Sequence, residues 1–251
     1  DYQKETQNIK VFSKIFEKDP DTIVPQVFEE HTTKKLLTMS YHEGQKIQTF
    51  LDTSQDTKNA LGKLLFLAWY KPLYAYGVLH GDPHFGNYLF TEDKKIILLD
   101  FGCIRYFDAL TLQGVIQLYY ALKNNDSDLL YEAYKLWGFS DLNKNLLEAL
   151  TLWAKFLYTP LLEDAVRPLY TESVGSLGRK IASTIYKELK GLGGIKPPRS
   201  FVFLDRAAIG IGSALSSLNA HQNWHQLFES LIENFNSTAV IKQQQHVVSS
   251  L

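Results

Sequence analysis

His80-Gly81-Asp82-Pro83-His84-Phe85-Gly86-Asn87 is the most informative stretch of the sequence, and Asp100-Phe101-Gly102 follows it closely. Two apolar runs lie between them, at residues 88–90 and 95–99, and the polar turn Thr91-Glu92-Asp93-Lys94 separates the runs. Two short apolar runs joined by a polar turn are typical of a β-hairpin. The hairpin would bring the ends of both motifs together, so we expect Asp82, Asn87 and Asp100 to share one site.

These three side chains suit phosphoryl transfer. The reaction needs metal ions that bridge the phosphates and a group that positions the attacking hydroxyl. Mg²⁺ prefers hard oxygen ligands, which Asn87 and Asp100 supply, while Asp82 can reach the incoming hydroxyl across the loop. The sequence therefore predicts Asp82, Asn87 and Asp100 as catalytic residues, Asn87 and Asp100 as Mg²⁺ ligands, and ATP with Mg²⁺ as cofactors.

Three alternatives fit parts of the pattern. His80, Asp82 and His84 alternate, and imidazole with carboxylate is a common zinc or iron ligand set, but Asn87 and Asp100 have no role in a metal-dependent hydrolase of that kind. Small-molecule kinases of the aminoglycoside or choline phosphotransferase type share the His-Gly-Asp and Asp-Phe-Gly pattern. A nucleotide-binding scaffold without turnover is the third, although a degenerate site tends to lose one of the three polar residues.

Composition narrows the class of protein. The chain has 251 residues, 45% of them hydrophobic, which is enough for one sizeable core. The formal net charge of -1 argues against nucleic acid as a partner. The single cysteine, Cys103, excludes a disulfide within the chain.

Hydrophobic spacing predicts an α+β protein that is predominantly helical. A first helix is expected because apolar residues recur at three- and four-residue spacing, with Glu5 on the same face. Strands are predicted at residues 27–28 and 36–41, and a long buried helix at residues 56–77. After Gly102 the pattern predicts helices to the end, interrupted by a loop at residues 192–198.

The longest uncharged run, residues 207–224, approaches the length of a membrane-spanning helix. It contains several Ser, Asn, Gln and His residues, whereas a spanning helix needs about 20 mainly apolar residues. We therefore expect a packed helix here and no transmembrane segment in this chain.

Taken together, the motifs resemble the ABC1 family of atypical kinases, also called ADCK or UbiB. Residues 80–87 match the family's catalytic loop, residues 100–105 its metal-binding segment, and residues 206–224 its C-terminal helix. The start of the chain resembles the end of the family's Glu-x-Asp motif, which places Glu5 where the family has the glutamate that pairs with a strand lysine. The resemblance covers nearly the whole chain.

The resemblance also implies an adenine-binding hinge. Met39 falls at the gatekeeper position, with Ser40, Tyr41 and His42 as the adenine-facing segment. Together with Glu5 these are the expected cofactor-binding residues. Ser40 stands where a glutamate is common, and recognition of adenine through the backbone should tolerate the difference.

The resemblance implies a protein-kinase-like fold in two parts. Residues 1–41 correspond to a remnant of the N-lobe, with its C-helix and two strands, and residues 42–251 to the helical C-lobe. The family's Lys-x-Gly-Gln motif, alanine-rich nucleotide loop and strand lysine do not occur in this chain, so we expect a fragment that binds nucleotide weakly. No Ala-Pro-Glu follows Asp100, which separates the chain from ordinary protein kinases.

Function and location follow from the same resemblance. It implies an ATP-dependent kinase or ATPase that supports ubiquinone biosynthesis, with a quinone-like lipid or quinone-biosynthesis proteins as partners and no nucleic acid. It further implies a bacterial cytoplasmic protein with peripheral association at the inner membrane.

Overall fold

The computed structural model describes residues 1–139, 142–170, 183, 191 and 197–249. Within them the fold is α+β and mostly helical, as expected. The helices are α1 (Tyr2–Ile15), α2 (Gln55–Tyr76), α3 (Ala109–Asn124), α4 (Ser127–Leu136), α5 (Lys144–Leu162), α6 (Arg199–Leu218), α7 (Trp224–Ile232) and α8 (Ser237–Ser249). The strands are β1 (Thr22–Ile23), β2 (Val78–His80), β3 (Tyr88–Phe90), β4 (Ile96–Leu98), β5 (Ile104–Tyr106), β6 (Val166–Pro168) and β7 (His221–Asn223).

The long helix predicted at residues 56–77 is confirmed as α2. The Ser54 side chain caps its start by accepting a hydrogen bond from the backbone N–H of Thr57. Its end is set by Gly77, whose φ of 64° is a left-handed conformation that glycine adopts without steric cost. Strand β2 begins at the next residue, so this helix end delivers the chain directly to His80.

The predicted hairpin is also confirmed. Strands β3 and β4 pair antiparallel, with Tyr88 opposite Leu98. Strand β1 adds to the other edge of β4 in parallel, with Thr22 opposite Ile96. The segment that follows α1 is therefore attached to the hairpin through backbone hydrogen bonds.

Two secondary-structure predictions were wrong. The segments 27–28 and 36–41 do not form continuous strands: they meet at the single bridge Val27–Met39, and a 3₁₀ turn, Glu29–His31, lies between them. Apolar side chains here are partly exposed, with Phe28 at 36% and Leu36 at 56%, and a two-stranded ribbon without a buried face is marginal.

The region after Gly102 is not wholly helical, because it contains β5, β6 and β7. Each of these strands has three residues, too short for a period-two pattern to be distinguished. The predicted loop at residues 192–198 lies outside the described residues except for Pro197 and Pro198.

One hydrophobic core joins most elements. It includes Ile9 and Phe12 of α1 together with Leu61 and Trp69 of α2 and Leu215 of α6, all almost fully buried. The division into residues 1–41 and 42–251 stays a prediction, and α1 packs into the same core as the helices after it.

Helix α6 is, among the described helices, the one long and apolar enough to cross a membrane. It has 20 residues and a hydropathy of 1.4 over its best window, of which 39% is buried inside the protein. Core helices of soluble proteins, which are mostly buried, pass the same test of length and composition. Ala207, Ile211 and Ala214 on this helix are buried in the core, in keeping with the packed helix expected from the sequence.

Candidate active site

The loop that carries Asp82 is held at its start by a strand pair. Strand β2 pairs antiparallel with β5, with His80 opposite Ile104. The Gly81 N–H donates to the Cys103 carbonyl at 2.6 Å, and a Cβ on Gly81 would lie equally close to that oxygen. A larger residue at position 81 would push the two segments apart, so Gly81 allows Asp82 to emerge beside the Asp-Phe-Gly segment.

The loop then turns back towards the hairpin. A short 3₁₀ turn, Phe85–Asn87, leads into β3, and the His84 ring caps it by accepting from the Gly86 N–H at 3.1 Å. Asn87 is buried at the end of this turn.

Asp82 and Asn87 are in direct contact. The Asn87 amide nitrogen donates to the Asp82 carbonyl at 3.0 Å and to Asp82 Oδ2 at 2.9 Å. Both partners are acceptors, so the amide nitrogen must face them. The amide oxygen of Asn87 then points away from these acceptors, and no described residue donates to it.

Asp100 reaches the same place through the hairpin. The Leu99 N–H donates to the Asn87 carbonyl at 2.9 Å, which sets Asp100 next to Asn87. Asp100 Oδ1 accepts from the Gly102 N–H at 2.8 Å. This bond fixes the carboxylate and leaves Oδ2 without a bonded donor among the described residues.

The donor set fits Mg²⁺. One amide oxygen from Asn87 and one carboxylate oxygen from Asp100 are the hard ligands that the ion accepts while it keeps phosphate and water oxygens in its shell. The described residues contain no group of three or more His, Cys, Asp and Glu side chains arranged to hold a metal. Of the imidazole groups in the hydrolase alternative, the His84 Nδ1 accepts the Gly86 N–H, and the His80 Nε2 contacts the Asp100 carbonyl oxygen.

His80 contacts the backbone of Asp100 and packs against neighbouring aromatic rings. Its Nε2 contacts the Asp100 carbonyl oxygen, and because a carbonyl only accepts, Nε2 carries the proton. Burial lowers the pKa of His80 below its ordinary value. The ring packs between Trp69, at 5.2 Å between centroids, and Phe101, at 5.9 Å. His80 is thus a buried neutral imidazole that holds the start of the Asp-Phe-Gly segment.

Helix α1 binds that segment from the other side. Glu5 Oε1 accepts from the Phe101 N–H at 3.3 Å, and the buried Asn8 donates from its amide to the Phe101 carbonyl at 2.7 Å. In the described part of the chain no lysine or arginine pairs with Glu5, whose bonded partner there is the Phe101 N–H. Asn8 was not among the residues predicted for the site, although its spacing from Glu5 and Phe12 on one helical face was a usable signal.

The expected hinge residues lie on one segment near the hairpin. The Ser40 N–H donates to the Gln26 carbonyl at 2.8 Å, and the Gln26 N–H donates to the Ser40 hydroxyl at 2.9 Å. The same hydroxyl lies 2.9 Å from His42 Nε2. Met39 packs against the core, whereas Tyr41 is 88% exposed. The segment is linked to the hairpin by the paired backbone bonds of Gln45 and Phe90, both 2.8 Å. Their role in nucleotide binding stays a prediction.

A second feature missed from the sequence is the contact of α6 with the catalytic loop. A Cβ on Gly210 would lie 2.0 Å from Pro83 Cγ, so the helix approaches the loop as closely as it does because position 210 is glycine. Nearby, the Arg105 guanidinium lies 5.0 Å from the centre of the Phe203 ring. Helix α6 therefore packs against the residue that follows Asp82 in the loop.

Comparison with known proteins places the chain among kinase-like proteins. An aarF domain-containing protein kinase of Arabidopsis thaliana, described as chloroplastic, is 29% identical over 231 residues, which are 89% of this chain and 31% of that protein. The atypical kinase COQ8 of Saccharomyces cerevisiae, described as mitochondrial, is 34% identical over 108 residues, which are 43% of this chain and 22% of that protein. The chain thus spans less than a third of either relative.

One solved structure shares the fold of this chain. The structure of Rv3197 from Mycobacterium tuberculosis in complex with erythromycin superposes with a TM-score of 0.69 at 19% identity, over 92% of this chain and 57% of that one. At this identity the likeness shows the fold alone. The sequence pattern of the ABC1 atypical kinase-like domain matches residues 1–134, more than half of the chain. The chain therefore belongs to the ABC1 atypical kinase-like family.

Proposed function

We propose that the protein is an ATP-using, kinase-like enzyme in which Asn87 and Asp100 hold the Mg²⁺ of Mg-ATP. The observation that carries the proposal is the orientation of the Asn87 amide. Its nitrogen is bound to Asp82, and its oxygen accepts no hydrogen bond from a described residue. Asp100 Oδ2, which also has no donor among those residues, follows the neighbouring strand β4. A magnesium ion bound there would neutralise negative charge on the phosphates.

Asp82 has a separate role in this proposal. It accepts the Asn87 amide through Oδ2, which aims the carboxylate without using both of its oxygens. The remaining oxygen orients the attacking hydroxyl of an acceptor, or a water molecule, and accepts its proton. Glu5, with Asn8, holds the backbone of Phe101 and so keeps Asp100 in register with Asn87.

For biological context we propose a link to quinone lipid metabolism. The support is the family resemblance, together with relatives named COQ8. Partners would be a quinone-like lipid or proteins of quinone biosynthesis, with peripheral membrane association. The expected bacterial cytoplasmic location stays a prediction, since these relatives are described as mitochondrial.

The decisive experiment measures Mg-ATP binding by the full-length protein. Asp100→Asn should abolish the Mg²⁺-dependent part of nucleotide affinity in calorimetric titrations, because the amide replaces the charged ligand. Glu92→Gln, the same acid-to-amide change in the exposed hairpin turn, is the control and should bind as wild type does. Equal Mg-ATP affinity of Asp100→Asn and wild type would show that the metal assignment is wrong. ATP turnover with and without a quinone-like lipid then tests the metabolic link.

A further inference from the structure

Arg105 on β5 runs from the start of the catalytic loop to helix α6. A Cβ on Gly81, the residue before Asp82, would lie 3.6 Å from Arg105 Cγ. At the other end of the side chain, the guanidinium carbon lies 5.0 Å from the centre of the Phe203 ring. The cation is therefore held beside Asp82 by one contact with the loop and one with α6.

A second arginine lies on the face of α6 that is turned towards the loop. Phe203 and Gly210 mark this face, because Phe203 contacts Arg105 and Gly210 lies against Pro83. Arg206 follows Phe203 by three residues and precedes Gly210 by four, a spacing that keeps all three on one side of a helix. At a rise of about 1.5 Å per residue, the Arg206 Cα lies about 4.5 Å and about 6 Å along the axis from these two neighbours.

Neither arginine has an acidic partner in the described part of the chain. Of the five N–H donors of Arg105, one is used, by Nη1 to the Ile104 carbonyl at 3.0 Å. The ion pairs among the described residues include neither Arg105 nor Arg206. Asp205, next to Arg206 in the chain, accepts from the Trp153 indole instead. Two cations without a counter-charge therefore border the loop that carries Asp82.

The ligand group that matches these cations is an anion. A guanidinium presents a planar fork of donors that fits the oxygens of a phosphate or a carboxylate. In the proposed function, Asp82 orients a hydroxyl next to this place. We propose that Arg105 and Arg206 bind the phosphate or carboxylate group of an acceptor substrate whose hydroxyl reaches Asp82. The acceptor role rests on the proposed function, whereas binding of an anion does not.

The two groups of such an acceptor have separate tasks in the transfer. The hydroxyl oxygen forms a bond to the γ-phosphorus of ATP, the bond from that phosphorus to the bridging oxygen of ADP breaks, and the hydroxyl proton passes to Asp82. The anionic group takes no part in bond making. Its contact with Arg105 and Arg206 fixes the orientation of the hydroxyl, and orientation is a large part of catalysis in reactions of this class.

Glycerol 3-phosphate and glycerol are matched probes, since both carry hydroxyl groups and only one carries an anion. Calorimetric titration of the full-length protein, without nucleotide or Mg²⁺, should show glycerol 3-phosphate binding at least tenfold more tightly than glycerol. A hydrogen bond between charged groups supplies at least that factor. Equal affinities of the two probes for the wild-type protein would overturn the inference.

Substitution of each arginine tests the location. Arg206→Gln, at an exposed position, should weaken glycerol 3-phosphate binding about tenfold. Lys242→Gln, which removes an exposed cation on α8, is the control and should bind as wild type does. Arg105→Gln should match Arg206→Gln, and if it fails to fold, Arg105→Lys keeps the charge, lacks the planar fork and should weaken binding severalfold. Equal affinity in Arg206→Gln and Lys242→Gln would overturn the site.

Nucleotide titrations distinguish an acceptor site from contacts with ATP itself. Arg206→Gln should keep the Mg-ATP affinity of the wild type. If Mg-ATP affinity falls by the same factor as glycerol 3-phosphate affinity, the arginines bind the phosphates of the nucleotide and the acceptor site is wrong. Asp100→Asn should bind glycerol 3-phosphate as wild type does. Undiminished Mg-ATP binding by Asp100→Asn would contradict the proposed function and leave the anion site standing.

Discussion

Asn8 and Phe101 are 93 residues apart in the chain, and the Asn8 side-chain amide donates to the Phe101 backbone carbonyl at 2.7 Å in a buried position. Together with Glu5, which accepts from the Phe101 N–H, this bond pairs both backbone groups of the residue after Asp100. Phe12, one turn further along α1, packs on the Phe101 ring at 5.3 Å. Helix α1 therefore holds the Asp-Phe-Gly segment through two hydrogen bonds and one ring contact.

Asn8→Ala should lower the free energy of unfolding by about 1–3 kcal/mol, because it leaves the Phe101 carbonyl buried and unpaired. Urea denaturation measures the loss. Gln7→Ala, an exposed change on the same helix, should have little effect. Equal losses of stability for the two variants would show that the Asn8–Phe101 hydrogen bond contributes nothing specific.

Asp82→Asn should slow ATP turnover about 10²- to 10⁴-fold, the usual contribution of a positioned base. An asparagine oxygen can still accept the bond from Asn87, so the loop geometry and Mg-ATP binding should be retained. Steady-state turnover and nucleotide titration of the same preparation separate the two effects.

His84→Ala is the companion variant, since its ring accepts one bond from Gly86 within the loop. It should change turnover much less than Asp82→Asn. Should His84→Ala lose metal while Asp82→Asn turns over at the wild-type rate, the histidine-metal alternative would replace the present one.

Gly210→Ala should destabilise the protein by about 1–3 kcal/mol through overpacking and displace Pro83, next to Asp82. Turnover should fall with it. A second substitution, Pro83→Ala, removes the Cγ atom that lies 2.0 Å from the added methyl and should restore part of the lost stability. Gly191→Ala, at an exposed position where no atom of the described residues lies within 4 Å, is the matched control. A Gly210→Ala protein as stable and active as this control would disprove the contact.

Asp205 should make stability depend on pH. Burial raises the pKa of its carboxyl from the ordinary value of 3.8 to about 7 in the folded protein, so between these values the folded state binds a proton that the unfolded state has lost. The free energy of unfolding contributed by this group is therefore greatest below about pH 4, falls as the pH rises to 7 and is constant above it. The full difference is at most about 4 kcal/mol.

Urea unfolding of wild type and Asp205→Asn at pH 5 and pH 8 checks this effect. The variant should lose less stability between the two pH values than wild type does. Glu30→Gln, an exposed acid-to-amide change, should behave as wild type. Parallel pH profiles for wild type and Asp205→Asn would contradict a raised pKa at this position.

The sequence by itself determined the local parts of this protein. The hairpin, the helix α2 and the grouping of Asp82, Asn87 and Asp100 follow from short-range periodicity and motif spacing, because those residues are close in the chain. The tertiary structure alone decided the contacts of Asn8 with Phe101, of Gly210 with Pro83, and of Arg105 with Phe203. Such contacts join distant segments, and they depend on how helices pack around a common core, which no local pattern of apolar residues specifies.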